Sequence, residues 1–395
     1  MLPPMKASLT RRAACLLLLG ALLAGCGKSG TRLVSSEGEL NPVTPVSRHG
    51  AAGQITRNTT RLGGADSVTN AAAVSSATHP GLVPAARPQA AVMVSRYELP
   101  LALAASVLAG TSLHAALLYS EPTSVPAASV QALEAMRPIG SPSLAGAQVL
   151  QIGSAAVPRG YAVRSLPASE VFTGAAEIER LAESLEGATP HLVLVVNAET
   201  APAFAMPAAG LAAQSGAPIM LVTSTGIPPA TRTALAALGH PAIDAIGPPS
   251  VISAAVFAEL ERFGTVKRIA GATPAENAVA VAREGWGIHE AGHGFVFASA
   301  AEPLDAPAAA PLSATGDYAP LLLLESASLI PPPLGHYLED IQAAYSPTVS
   351  PVRAIYNRGW IIGGEHAVSA TTQAELDVAL EVAPRSSAPT PSLSP

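Results

Sequence analysis

Short apolar runs recur along this chain, unbroken by polar positions and separated by Ala-rich stretches. Three blocks repeat the same order of strand, polar step, helix, strand and Pro-marked turn. They read AAVMVSRYELPLALAASVLAGTSLHAALLYSEPTSVP, HLVLVVNAETAPAFAMPAAGLAAQSGAPIMLVTSTGIP and HGFVFASAAEPLDAPAAAPLSATGDYAPLLLLESASLIP. The turns end at Pro126, Pro228 and Pro331, and a further helix and a third strand follow each: AQVLQIG, AIDAIG and WIIGG. A strand with one solvated face alternates polar and apolar residues, whereas an unbroken run is how a strand covered on both faces reads. Strands alternating with helices predict small α/β units with parallel sheets, and right-handed crossovers place helices on both faces.

The units have a common opening. Arg61-Leu-Gly-Gly-Ala-Asp66, Arg164-Ser-Leu-Pro-Ala-Ser169 and Arg268-Ile-Ala-Gly-Ala-Thr273 lie 103 and 104 residues apart, and each precedes an Ala-rich helical stretch. Asn70 and Asn277 sit nine residues after Arg61 and Arg268. An internal triplication of this period decides the architecture before any single motif does.

These residues resemble the cell wall-binding repeat family, type 2. Arg61–Asp66 matches its opening motif, and Pro303-Leu-Asp-Ala306 its Asp-Ala segment. Gly216-Ala-Pro-Ile-Met-Leu221 and Ala319-Pro-Leu-Leu-Leu-Leu324 match its second strand, and Trp360-Ile-Ile-Gly-Gly-Glu-His-Ala-Val-Ser369 its repeat end. The resemblance covers roughly residues 59 to 382. It implies an α/β fold of three tandem Rossmann-like repeats, each with a short parallel sheet flanked by helices, packed with pseudo-three-fold symmetry. It also implies a non-catalytic anchor that binds an anionic cell-wall polymer. Three units in one chain can complete the three-fold assembly alone, so a monomer is expected.

The departures from the pattern fall on polar positions. The family's second Arg is Ser67 in unit one and Pro274 in unit three, and its Asp is Thr273 in unit three. The Asp-Ala segment is Leu101-Ala102 in unit one and Ala203-Phe204 in unit two. The apolar scaffold is kept while binding groups are replaced, so a scaffold that has lost polymer binding is one rival reading. A solute-binding lipoprotein is another, although two lobes rather than three repeats would be expected of it.

The first residues add a location. MLPPMKASLTRR is a basic segment, AACLLLLGALLAG an apolar run too short to span a membrane as a mature helix, and Leu23-Ala24-Gly25-Cys26 resembles a bacterial lipobox. Residues 1–25 thus read as a lipoprotein signal peptide and Cys26 as the site of lipid attachment. Acylation there holds the exported protein on the outer face of the cell membrane. The other cysteine, Cys15, leaves with the signal, so the folded part has no disulfide. Residues 26–58 read as lipidated Cys and flexible linker, 59–159, 160–264 and 265–383 as the repeats, and 384–395 as a disordered tail.

Charge narrows the partners. The chain carries a net charge of −6, and without its first 25 residues it has 19 basic and 28 acidic side chains. Nucleic acid is excluded as a partner for such a surface. An anionic polymer is also opposed at long range, so its binding needs local cations whose geometry suits phosphate or carboxylate. The candidates are Arg61, Arg96, Lys267, Arg268, Arg353 and Arg358, with the motif carboxylates Asp66 and Asp305.

One stretch competes with this reading. His289-Glu290-Ala291-Gly292-His293 fits H-E-x-x-H, which on a continuous helix supplies two zinc ligands and a general base. Gly285, Gly287, Gly292 and Gly294 crowd it, and each costs a helix on the order of 1 kcal/mol relative to Ala. A third protein ligand with family spacing is also missing. The expectation is a helix-to-strand connection carrying loop histidines, with a zinc hydrolase as the remote alternative. With no G-x-S-x-G elbow and no G-x-G-x-x-G after a strand, neither a catalytic residue, a metal site nor a cofactor is expected.

Overall fold

Strands β1 (Gly53–Ile55) and β2 (Thr59–Leu62) form a hairpin at the start of the described residues. The computed structural model describes residues 53–287, 294–314, 319–345 and 356–384. The H-E-x-x-H stretch, Cys26 and Arg353 lie outside them. The end of the segment read as linker thus belongs to the hairpin.

The first unit continues through α1 (Ser67–Thr78), β3 (Ala91–Ser95), α2 (Leu99–Ala105), β4 (Ala116–Ser120), α3 (Ala127–Met136) and β5 (Val149–Ile152). The second runs through β6 (Val163–Leu166), α4 (Val171–Glu186), β7 (Leu192–Val196), α5 (Pro202–Ala205), α6 (Pro207–Ser215), β8 (Ile219–Leu221), α7 (Pro229–Ala237), β9 (Ala242–Ile246) and α8 (Ala254–Leu260). The third has β10 (Thr265–Ile269), α9 (Pro274–Trp286), β11 (Gly294–Ser299), α10 (Asp305–Ala314), β12 (Leu321–Leu324), α11 (Pro332–Asp340), β13 (Ala344–Tyr345), β14 (Arg358–Ile362), α12 (Ala370–Ala379) and β15 (Ala383–Pro384). Helix α9 ends at Trp286 and β11 begins at Gly294, so the H-E-x-x-H letters fall between a helix and a strand.

The continuous apolar runs are fully buried strands. Every residue of β3, β4, β8, β11 and β12 is buried, as expected where helices cover both faces. Three four-stranded parallel sheets result, with orders β4-β3-β5-β6, β8-β7-β9-β10 and β12-β11-β14-β2, and β1 adds an antiparallel edge to the third. A small pair, β13 and β15, lies apart from them.

The strand that opens each repeat does not join its own unit. Strand β6 pairs with β5 in the first sheet, and β10 pairs with β9 in the second. Strand β2 pairs with β14 in the third, in register from Thr59 opposite Gly359 to Leu62 opposite Ile362. Each unit therefore lends its opening strand to the one before it, and the first unit lends its strand to the last. The three units close into a ring.

At the centre of the ring α6 packs on α10, and both pack on the 3₁₀ turn Ser106–Ala109 that extends α2. Ala109, Ala213 and Ala310 make a small apolar cluster there. Their size lets the backbones meet. At Gly110 a Cβ would lie 2.0 Å from the Ala213 carbonyl oxygen, so only glycine fits.

Equivalent contacts fix the true repeat register. The amides of Gly363, Gly153 and Gly247 donate to the carbonyls of Leu62, Leu166 and Ile269. The helix caps that follow are Asp66, Glu170 and Thr273, each accepting from first-turn amides. The structural counterpart of Arg61 and Arg268 is therefore Ser165, one residue beyond the Arg164 that the letters suggest.

Candidate functional site

Two places in the third sheet gather the candidate residues. The first is the closure of the ring. Arg61 projects from β2 and is 5% exposed. Its five N–H groups are all used. Nη1 donates to the carbonyls of Gly363 and Gly364, both at 2.9 Å, and Nη2 to Val368 O at 2.7 Å and Gln373 Oε1 at 2.8 Å. Nε donates to Gln373 Oε1 at 3.1 Å. Burial lowers the guanidinium's pKa, opposed by the field of Glu365. Arg61 thus clamps the loop after β14 to the first strand, a position from which its donors are already spent.

Beside it, Asn70 on α1 donates its amide to both carboxylate oxygens of Asp305, at 3.0 and 3.1 Å. Its own oxygen accepts from Gly64 N at 2.8 Å. Asp305 opens α10 and is fully buried. Burial pushes its carboxyl up to about 6, against the hydrogen bonds from Asn70 and Ser67 that favour the ionised form. Asp66 serves as the cap of α1, accepting from Thr69 N at 2.8 Å within a capping box. The structure therefore brings Arg61, Asp66 and Asp305 to one junction, where they hold α1, β2 and α10 together.

The same junction is built differently elsewhere. Asn277, the counterpart of Asn70, donates to the Phe204 carbonyl at 2.9 Å. Between the first and second units the counterpart is Gly174, against which Leu101 packs; a Cβ on Gly174 would lie 2.7 Å from Leu101 Cδ2. A polar pair in one junction is an apolar leucine beside a glycine in another. The replacement of the Asp-Ala segment by Leu101 in unit one has this steric counterpart.

The second place is a groove of about 500 Å³ at the N-terminal ends of β2 and β14. Arg57, Asn58, Thr60, Tyr356, Arg358 and Trp360 line it. Tyr356 is 64% exposed, Arg358 is exposed and Trp360 is half-buried. Arg57 forms an exposed ion pair with Glu381 at 2.7 Å. Two guanidiniums flank two aromatic rings here, in a protein with only 4% aromatic residues. Such a surface can stack a sugar ring on an aromatic face and fork a guanidinium onto a phosphate or carboxylate.

Of the candidates among the described residues, only Arg358 lines this groove. Arg57, Tyr356 and Trp360 are not visible as site residues in the sequence, because Arg57 lies upstream of the repeat opening, Trp360 belongs to a strand that reads as core and Tyr356 lies just before that strand. Their signal is the scarcity of aromatics, two of which fall within five residues. The other cations stand apart. Arg96 follows β3 in the first sheet, with its guanidinium 6.0 Å from the Tyr97 ring centre. Lys267 on β10 pairs with Glu284 at 2.5 Å, which raises its pKa. Arg268 donates to Gly247 O at 2.7 Å and lies 4.6 Å over the Phe257 ring.

Three parallel sheets closed by exchanged strands, with charged groups at the strand ends, define a class of triple-repeat α/β proteins. Residues 268–373 match the family described as Cell wall binding domain 2 (CWB2), from Arg268 on β10 into α12. The matched span lies within the third repeat. Cwp6 from Clostridium difficile is similar in structure, with a TM-score of 0.65 at 15% identity over 82% of this chain and 48% of that one. Cwp8 from Clostridium difficile has a TM-score of 0.63 at 19% identity, over 83% of this chain and 53% of that one. At such identities the likeness is one of fold, and the chain spans about half the length of these solved chains. No curated protein matches it.

Proposed function

We propose that this protein is a non-catalytic envelope lipoprotein that binds an anionic cell-wall glycopolymer through its third unit. The observation that carries this is the position of the groove. Tyr356, Arg358 and Trp360 lie inside the span that matches the wall-binding family, and β2 brings Arg57 beside them. The net negative charge of the whole surface makes these local cations the ones that matter. The lipid on Cys26 then holds the membrane, the linker spans the gap and repeats 59–159, 160–264 and 265–383 hold the wall. Two anchors on one chain reinforce each other when the linker reaches. Because the ring closes within one chain, the protein acts as a monomer, and light scattering showing a stable trimer would oppose that.

The test is co-sedimentation of the soluble fragment from Gly27 onward with walls of its own organism, intact or stripped of acidic polymers. Binding should be lost on stripping and weakened by salt. Arg57→Ala and Arg358→Ala should each weaken it roughly tenfold, the scale of one charge-assisted hydrogen bond. Equal binding to stripped walls, or no loss in the double variant, refutes the assignment.

A further inference from the structure

A second cavity, of about 440 Å³, opens between α4 and α7 in the second unit. Its lining is largely aliphatic, from Ala176, Ala234 and Leu238, all buried. Glu179 also lines it. This side chain is 2% exposed, and its Oε1 is buried without a hydrogen-bond partner. A buried carboxyl oxygen left without a donor is costly.

The scaffold does not demand an acid at this place. Nine residues after the caps Asp66, Glu170 and Thr273 stand Ser75, Glu179 and Ala282, each buried on the helix that its cap opens. A serine and an alanine do the packing in the sister units. The carboxyl belongs to the cavity rather than to the fold.

The charges around it favour a cation. Glu183, one turn on, also lines the cavity and accepts from Thr189 Oγ1 at 2.6 Å. Arg180 lines the cavity as well, but it is exposed, its Nε donates to Ala176 O at 3.2 Å, and the two carboxyl side chains outnumber it. Helix α7 brings only Arg232, which is paired with Glu259, and neither α2 nor β8 carries a titratable side chain. Burial pushes the Glu179 carboxyl up to about 7, with Glu183 adding to the shift and Arg180 opposing it.

We propose that this cavity binds a primary alkylammonium group, which donates to Glu179 Oε1 while its alkyl stem lies along Ala234 and Leu238. The ammonium supplies the donor that Oε1 lacks, and the aliphatic wall accepts the stem. Because the empty site holds a proton below neutrality, binding there displaces that proton to solvent. Affinity rises with pH through about 7 and falls again as the amine loses its own charge near about 10.4. The site is independent of the wall groove, so either assignment can fail without the other.

The probe is n-pentylammonium, titrated calorimetrically into the protein in two buffers of different ionisation enthalpy. One site per chain should saturate, releasing roughly 0.9 proton at pH 6 and roughly 0.1 at pH 8. Pentanol and pentanoate should bind at least about tenfold more weakly, the scale of one charge-assisted contact. Glu179→Gln should lose the interaction and the proton release. Glu179→Ala should do the same and fold, since alanine occupies the sister position at Ala282. Wild-type protein that shows no saturation below about 50 mM amine, generous for so small a ligand, refutes the proposal. Equal binding by pentanol, or unchanged binding in both variants, refutes it as well.

Discussion

Replacing Arg61 by methionine tests the ring closure directly. The substitution keeps an unbranched stem of similar reach and removes all five donors. Four acceptors are then left dry: the carbonyls of Gly363, Gly364 and Val368, and Gln373 Oε1. Charge-assisted bonds are worth about 1.5–3 kcal/mol each but do not add, and losing the buried charge returns part of its desolvation cost. Removing one partner from a buried charged network costs about 3–5 kcal/mol, which is the expected loss. Arg268 is the control within the same molecule. It holds one carbonyl and one ring and is only half-buried, so Arg268→Met should cost about 1–2 kcal/mol. Urea unfolding of both variants gives the comparison. Amide exchange at Gly359 and Gly363, which donate to Asn58 and Leu62 across the closing strands, reports where it acts. A loss below about 1 kcal/mol for Arg61→Met, or equal losses in the two variants, would refute the clamp.

Other consequences can be measured with the same assay. Asp305 has its carboxyl raised from 3.8 to about 6, so the folded state holds that proton more tightly than the unfolded chain. Its contribution is fully present below about pH 3.8 and lost as pH rises through about 6; Asp305→Asn should therefore gain stability relative to wild type across that window, and a flat difference refutes it. His79 works in the opposite sense, because burial lowers it from 6.5 to about 4 and its contribution is lost as pH falls through that range. A Cβ on Gly174 would meet Ala168 Cβ at 2.6 Å and Leu101 Cδ2 at 2.7 Å, so Gly174→Ala should cost about 1–3 kcal/mol. Combining it with Leu101→Ala should cost less than the sum by at least about 0.5 kcal/mol, and strict additivity would deny the junction contact. At Gly294 a Cβ would come within 2.3 Å of the Trp360 ring; Gly294→Ala should shift the tryptophan emission to the red and lower Tm, and an unchanged spectrum counts against the packing.

The unbroken apolar runs reveal the strands and their helical cover because that signal is local. The destination of each opening strand is not legible in the same way. Residues 163–166 read as the start of a unit, yet their partner is β5 of the unit before, a choice made by tertiary packing and not by the strand itself. The register slip at Ser165 has the same origin. Arginine drew the alignment to Arg164, while the caps at Asp66, Glu170 and Thr273 carry the structural period. Arg61 reads as a surface cation because arginine seldom lies buried. The carbonyls that bury it come from about 300 residues away. The groove combines Arg57 with Tyr356, Arg358 and Trp360, so no window of sequence contains it.

The exchange of opening strands also orders events in time. Synthesised from its first residue, the chain makes β2 long before β14, 302 residues separating Arg61 from the Gly363 carbonyl it will hold. Entropy hardly penalises the wait, since closing a loop of about 300 residues costs only about 1 kcal/mol more than closing one of about 100. Meanwhile β2 has only β1 beside it, and the third sheet of any newly made molecule has an open place of the same shape. At high concentration another molecule's strand can fill it, with the Gly63-Gly64 segment as the hinge. Refolding from denaturant should then yield exchanged oligomers in proportion to concentration, while dilute refolding returns single rings.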